Sequence, residues 1–355
     1  MRKLRVAIVG QGRSGYGIHG HYFASGSNDI VEVVAVADPL EVRRGFAKER
    51  HQCAVFSDYK EFFSLEGIDL VVNATMSKDH YGITREFLDH GFNVLGEKPF
   101  AKTEAQCREL MALAKEKGAI LAVFQQSLFA PDFLKVKELI QGGKMGKIME
   151  ISIHYAGFSR RWDWQTLQSY CAGSLYNTGP HPIGQALDLL GWDEQAELLF
   201  VKLAAAITSG DAEDYAKLLL TAPNQPIIEI DLTATDAFGE PNFKVQGTLG
   251  SLQIRGSSWQ MKYLDPAELL PRPVCKEPLM DEQGKPIYCK ENLSWKIEEG
   301  EIIGSAFDEG THRFYHMLAA AIFEGKELEI SPEYAARTIR VIEEAHSRNP
   351  LPKKF

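Results

Sequence analysis

The chain has 355 residues, 45% hydrophobic and 25% charged, an ordinary globular balance with length for two domains and a sizeable core. Its formal net charge of −9 excludes the basic stripe of a nucleic-acid surface, and no apolar run approaches the ~20 residues of a membrane span. The five cysteines form no CxxC pair and the N-terminal apolar run is too short for a signal peptide, so no structural zinc or disulfide framework is expected and a reducing cytoplasm is.

Residues 4–9 form a β-rich run ending in Gly10-Gln11-Gly12-Arg13-Ser14-Gly15. A GxGxxG loop between strand and helix lets the backbone approach a pyrophosphate, whose charge then sits at the helix N-terminus. Gly10, Gly12, Arg13, Ser14 and Gly15 are therefore candidate cofactor residues, although the helix after them is glycine-rich and poorly patterned. A second strand, 31–37, ends in Asp38, near the roughly 20-residue offset of a carboxylate that takes the adenosine ribose hydroxyls. Such an acid repels a 2′-phosphate and favours NAD, while Arg43 and Arg44 leave NADP open.

The alternation continues with a short strand at 54–56, a helical turn at 59–63, a buried strand at 70–74 and a helix at 80–90. A strand at 93–95 follows, then a helix opened by the capping box Thr103-Glu104-Ala105-Gln106 and stopped by Gly118, then a strand at 120–124. Strands alternating with helices predict a doubly wound parallel Rossmann sheet, and residues 1–124 are read as an NAD(P)-binding domain. Thr75 and Ser77 at the end of the fourth strand are expected to face the cofactor, as is His80 in the next helix.

Past Phe124 the texture changes, and 125–355 is read as a substrate-binding and oligomerisation domain. Residues 129–140 read as one linking helix, and 147–156 alternates as a strand. Strands at 198–207, 215–221, 227–235, 244–249 and 259–264 with short turns predict a large, mostly antiparallel open sheet. Residues 266–300, proline-rich and charged, read as a surface excursion, and helices at 311–324 and 332–346 close the chain. The fold class is α/β throughout. A sheet covered by helices on one face leaves the other for a homodimer or homotetramer.

Two stretches carry chemistry. In Val94-Leu95-Gly96-Glu97-Lys98-Pro99, the proline forbids helical geometry at Lys98. The lysine therefore leaves a strand end where open α/β sheets bind ligands, within reach of cofactor and substrate alike. In the second stretch, 173–182, the apolar spacing of Ile183, Ala186, Leu187 and Leu190 puts His181 in the first turn of a helix. A histidine suits removal of a hydroxyl proton at neutral pH, and Asn177, one turn earlier, points the same way if the chain is helical from Thr178. Arg161, Trp162 and Trp164 suit a sugar, whose C–H face stacks on aromatic rings and whose hydroxyls bond to charged groups. Tyr155 and Gln126 are further candidates, toward substrate and cofactor respectively. His312 and His316 stand at i, i+4, but no acidic or third histidine partner is visible, so no metal site is expected.

Gly10-x-Gly12-x-x-Gly15, Asp38, the Glu97-Lys98-Pro99 turn and the glycine-led segment ending in His181 together resemble the glucose–fructose oxidoreductase/inositol dehydrogenase family over nearly the whole chain. The resemblance implies a Rossmann domain followed by an α/β domain with a large open sheet. It further implies NAD(P) bound beside Glu97 and Lys98, and a sugar or cyclitol substrate. It implies that Lys98 bonds the reacting hydroxyl and the nicotinamide ribose, with His181 as proton acceptor. The family pattern places an aspartate where this chain has Asn177; an asparagine does not titrate, so here it orients His181 or a substrate hydroxyl. The expectation is an NAD(P)-dependent dehydrogenase or reductase acting on a CH–OH group. Its alternatives are a non-catalytic NAD(H) or sugar sensor and a redox-neutral sugar reaction run on tightly held NAD.

Overall fold

Two sheets organise the computed structural model, which describes residues 2–355. The first has six parallel strands: β1 (Leu4–Val9), β2 (Val31–Ala37), β3 (Ala54–Phe56), β4 (Leu70–Asn73), β5 (Val94–Gly96) and β6 (Leu121–Val123). Their order is β3-β2-β1-β4-β5-β6, which reverses between β1 and β4, the switch point where such sheets bind ligands. Its inner strands are apolar on both faces because helices cover both; Leu70, Val71, Val72, Val94 and Leu95 are wholly buried. The covering helices include α1 (Gly20–Ala24), α2 (Glu41–His51), α3 (His80–Asp89) and α4 (Glu104–Lys117).

Local chemistry sets the ends of these elements. At α4 the Thr103 hydroxyl accepts the Gln106 N–H at 3.3 Å, but the Gln106 side chain takes the N–H of Lys102, so the capping box is half made. Gly118 ends the helix at φ +66°, a conformation open to glycine. After the glycine loop the chain makes one π-helical turn, Gly15–His19, before the five residues of α1. That departure from a regular helix carries His19 into the core at 0% exposure, the kind of widened turn found at working sites.

The second sheet has eight strands: β7 (Ile148–Ala156), β8 (Glu197–Ala204), β9 (Tyr215–Thr221), β10 (Ile227–Thr233), β11 (Phe243–Gly247), β12 (Gly250–Arg255), β13 (Ser258–Leu264) and β14 (Trp295–Glu301). Their order is β14-β13-β12-β11-β7-β10-β9-β8, antiparallel except for the parallel pair β7–β10. Two of them, β12 and β14, lie outside the strands expected from the sequence. β12 follows β11 through the tight turn at Thr248-Leu249, and β14 is an edge strand, largely exposed, cut from the expected surface excursion. The expected linking helix is also divided. A short turn at Gln126–Phe129 gives way at extended Ala130 to α5 (Pro131–Gln141), because Pro131 disfavours helical geometry in the residue before it and suits a first helical position.

The remaining helices are α6 (Ser174–Asn177), α7 (Pro180–Leu189), α8 (Thr311–Glu324) and α9 (Pro332–Arg348). α7 packs on β7 and β10, and α9 spans from β8 and α7 back to α4, where Arg108 donates to Glu333 at 2.7 Å. Past Ile227, the residues β10 turns away from the core are polar, with Asp231 and Glu229 both paired to Lys217 of β9. Among the described residues no helix is long and apolar enough to cross a membrane.

Candidate active site

Beyond the ends of β1, β4 and β5 lies a cavity of about 580 Å³. Its floor is the glycine loop. Gly10 has φ +90°, and a Cβ there would lie 2.6 Å from the Ala74 carbonyl oxygen; a Cβ on Gly15 would lie 1.9 Å from the Gly10 oxygen. The protein's own backbone requires both glycines. Gly12 differs, since nothing lies within 4 Å of where its Cβ would sit; its bare backbone opens the cavity, with Arg13 and Ser14 beside it. That is the cradle a pyrophosphate needs, so these residues fit NAD(P). Gln126 supports the fit: it is buried, lines the cavity, and its Oε1 has no hydrogen-bond partner among the described residues.

Asp38, 2% exposed, ties the loop to the end of β2. Its Oδ2 accepts the Gln11 N–H at 2.8 Å and its Oδ1 the Leu40 N–H at 2.9 Å. Arg43 lines the cavity with Nη1 3.5 Å from Asp38 Oδ2, whereas Arg44 donates to the carbonyls of Asp38 and Pro39. Thr75 and Ser77 also line the cavity, and the Thr75 hydroxyl donates to Asn73 Oδ1 at 2.7 Å. His80 is in the same wall but faces inward. Its Nδ1 lies 2.7 Å from the Pro99 carbonyl and its Nε2 3.3 Å from that of Thr75. Burial lowers its pKa, so the neutral ring has one proton, directed by the shorter contact to Pro99. It braces the Lys98-Pro99 turn, whose peptide bond is cis.

Below that turn runs a buried polar chain that sequence reasoning missed. The Tyr315 hydroxyl lies 2.7 Å from His19 Nδ1, His19 Nε2 lies 3.1 Å from Glu97 Oε1, and Glu97 Oε2 accepts the Lys98 N–H at 3.0 Å. Burial alone would raise the Glu97 pKa, but the His19 hydrogen bond and the Lys98 charge outweigh it and hold the carboxyl at about 2. Lys98 Nζ donates to the Asn177 main-chain oxygen at 2.7 Å. Burial, aided by the charges of Arg13 and Arg161, lowers the lysine pKa against the pull of Glu97. His181 Nδ1 lies 2.9 Å from Ser127 Oγ. Burial and the Lys98 charge bring its pKa down to about 3, so the imidazole is neutral at physiological pH.

A second lobe of about 440 Å³ shares Tyr155, Arg161, Gln165, Asn177 and Thr178 with the first. Thr178 and Gly179 keep helical angles between α6 and α7, which is why Asn177 and His181 both reach the larger lobe. Here side chains hold one another. Arg161 pairs with Asp163 at 2.5 Å and donates to Gln165 Oε1, and Gln165 Nε2 donates to Asn177 Oδ1 at 3.0 Å. Glu213 and Asp214 close the far end, where Glu213 accepts one backbone N–H group and Asp214 three. The Tyr155 hydroxyl donates to Gln185 at 3.3 Å and Trp164 lines the larger lobe. Trp162 departs from expectation: it lines neither lobe and is 82% exposed, while Arg161, Asp163 and Trp164 around it line the larger one. Ser127 and Gln165 belong to the site, yet nothing marks them in sequence; an isolated serine or glutamine has no periodicity to betray its partner.

Fold and cavity define a nicotinamide-binding α/β oxidoreductase, and comparison with known proteins agrees. The model of the oxidoreductase family with NAD-binding Rossmann fold matches residues 4–125, and that of the GFO/IDH/MocA C-terminal domain matches residues 133–253. The chain belongs to this family of NAD(P)-dependent oxidoreductases. The scyllo-inositol 2-dehydrogenase (NADP(+)) IolW of Bacillus subtilis is 26% identical over 96% of this chain and 92% of its own length. The D-glucoside 3-dehydrogenase of Escherichia coli is 31% identical over 53% of this chain and 54% of its own. Among solved structures, an NAD-binding protein from Listeria innocua superposes with a TM-score of 0.78 at 21% identity, covering 98% of this chain and 96% of that one. That likeness establishes the fold.

Proposed function

We propose that the chain is an NAD(P)-dependent dehydrogenase or reductase acting on a secondary alcohol or ketone of a sugar, cyclitol or derivative. The observation that carries this reading is Lys98 Nζ anchored on the Asn177 carbonyl, with neutral His181 in the same cavity wall, beside the residues the two lobes share. A bound nicotinamide would supply the hydride acceptor for oxidation or the donor for reduction. The chain's own part is to hold the hydroxyl and move its proton. Lys98 donates a hydrogen bond to the carbinol oxygen. His181, with Nδ1 against Ser127, takes the hydroxyl proton at Nε2. Asn177 holds Lys98 through its main-chain oxygen, with its side chain fixed by the bond from Gln165, and the polar smaller lobe suits a polyhydroxylated ligand, as do the inositol and glucoside named for the two relatives.

Residues 1–124 hold the coenzyme and 125–355 the substrate, with copies of the chain meeting through the polar face of the second sheet. Asp38 favours NAD, and Arg43 beside it can take a 2′-phosphate. The test is calorimetric titration with NAD and NADP, then a screen of sugars and inositols for the near-ultraviolet absorbance of reduced nicotinamide. Coenzyme binding and reduction with one polyol are expected. Binding without turnover across the screen transfers the chain to the sensor reading, and failure to bind either coenzyme overturns both.

A further inference from the structure

Away from the cavity, folding supplies what the sequence lacks beside His312 and His316. Asp29, in the turn before β2, meets both histidines of α8, and one ligand atom from each residue lies within 4.8 Å of the others. We propose that Asp29, His312 and His316 form a binding site for a divalent transition-metal ion of the zinc type, which clamps α8 to the first sheet. The proposal is independent of the catalytic reading.

The geometry is close to a ligating one. Histidines at i, i+4 share a helix face, and here their ring centroids are 4.4 Å apart. His316 Nε2 lies 2.9 Å from Asp29 Oδ1. Metal–ligand bonds of roughly 2.0–2.2 Å put neighbouring donors about 3–4 Å apart, so small side-chain rotations suffice, and none of the three is buried. Two imidazoles and a carboxylate select zinc, nickel, copper or cobalt over magnesium and calcium, which prefer oxygen donors throughout. Three protein ligands leave the remaining positions to water.

A second observation concerns the outer contacts. The Tyr22 hydroxyl lies 3.1 Å from His312 Nδ1. A hydrogen bond from the far ring nitrogen to such a partner fixes tautomer and ring orientation in metal-ligating histidines. Tyr22 in turn stacks on Tyr315 with centroids 5.7 Å apart, and Tyr315 carries the hydrogen bond to His19 and hence to Glu97. The clamp therefore fastens the helix from which the brace under Lys98 descends.

The experiment is calorimetric titration of the untagged, metal-stripped full chain with zinc chloride, repeated with magnesium chloride, with thermal melts in each condition. One zinc ion per chain is expected at a Kd of about 10 μM or tighter, with a raised Tm and no response to magnesium. D29N and H316Q alter exposed or half-exposed side chains, so both variants should melt like the wild type without metal, yet bind zinc at least about tenfold more weakly and lose the thermal shift. Cobalt chloride adds a second readout, since its visible bands should report nitrogen ligation in the wild type and change in H316Q. Wild-type binding weaker than about 100 μM, equal response to magnesium, or undiminished affinity in both variants overturns the proposal.

Discussion

The two lobes of the cavity are built on opposite plans. The coenzyme lobe is floored by backbone: Gly10 and Gly15 pack against main-chain oxygens, Gly12 leaves a space, and Asp38 is held by two backbone N–H groups. The substrate lobe is built of side chains that hold one another, Asp163 to Arg161 to Gln165 to Asn177. The first plan suits a ligand recognised by its phosphates and ribose, and at Gly10 and Gly15 the fold leaves no room for an added atom. The second can be retuned one residue at a time, so a substrate range can change while the coenzyme stays.

The sharpest way to break this contrast lies within the glycine loop itself. Gly15→Ala puts a Cβ 1.9 Å from the Gly10 oxygen and should cost on the order of 4 kcal/mol of stability. Gly12→Ala meets nothing within 4 Å, so it should melt like the wild type but lose coenzyme affinity by at least about tenfold. Thermal melts and NAD titrations of both variants check this. Equal melting temperatures would show that backbone packing does not constrain the loop.

Lys98→Ala is the converse. It removes the ammonium bound to the Asn177 carbonyl, and kcat should fall roughly 10²- to 10⁴-fold with NAD binding retained. Single-turnover kinetics beside the binding titration separate the two effects. Full turnover in the variant sinks the assignment of Lys98.

His181 offers a test by pH. Its folded pKa of about 3 lies below the ordinary histidine value of ~6.5, so between those values the unfolded chain binds more protons than the folded one. Its contribution to stability is fully present above ~6.5 and is lost as pH falls toward 3. Tm in His181→Gln should therefore fall less steeply than the wild type's across that window. Parallel curves would remove the claim that the imidazole is buried neutral.

The fold was legible where the chain repeats a period. Strands 4–9, 31–37, 54–56 and 215–221 are readable residue for residue because apolar runs and flanking turns mark them. β14 was not, because an edge strand exposed along most of its length carries no apolar face. The site was half legible for a related reason. Glycines, a lysine before proline and a histidine in a first helical turn announce themselves locally. The brace from Tyr315 through His19 to Glu97 joins residues far apart in the chain, and the same tertiary step brings Asp29 to His312 and His316. Trp162 marks the opposite error: its residue type suits a sugar, but only the loop's direction decides which side it faces.

Asn177 probes the substrate plan more gently. Asn177→Asp adds a carboxylate near Lys98, whose pKa burial and the Arg13 and Arg161 charges keep low. An added negative charge raises a lysine pKa, so the alkaline fall of kcat should move to higher pH, while kcat at neutral pH changes by less than about tenfold. An unmoved limb would mean that residue 177 does not govern the lysine's charge.

The smallest expected effect tests the boundary of the backbone plan. Arg43 lines the cavity with its guanidinium 3.5 Å from Asp38. A guanidinium binds phosphate through charge-assisted hydrogen bonds, but an exposed one is screened by solvent and salt. Arg43→Ala should weaken NADP by about tenfold or less and leave NAD within a factor of about two, because Asp38 keeps its two backbone partners without the arginine. Titrations at low and moderate salt check both parts, and the difference between the coenzymes should shrink as salt rises. Equal weakening of NAD and NADP would place Arg43 with the loop's architecture, and the choice of coenzyme would then rest on Asp38 alone.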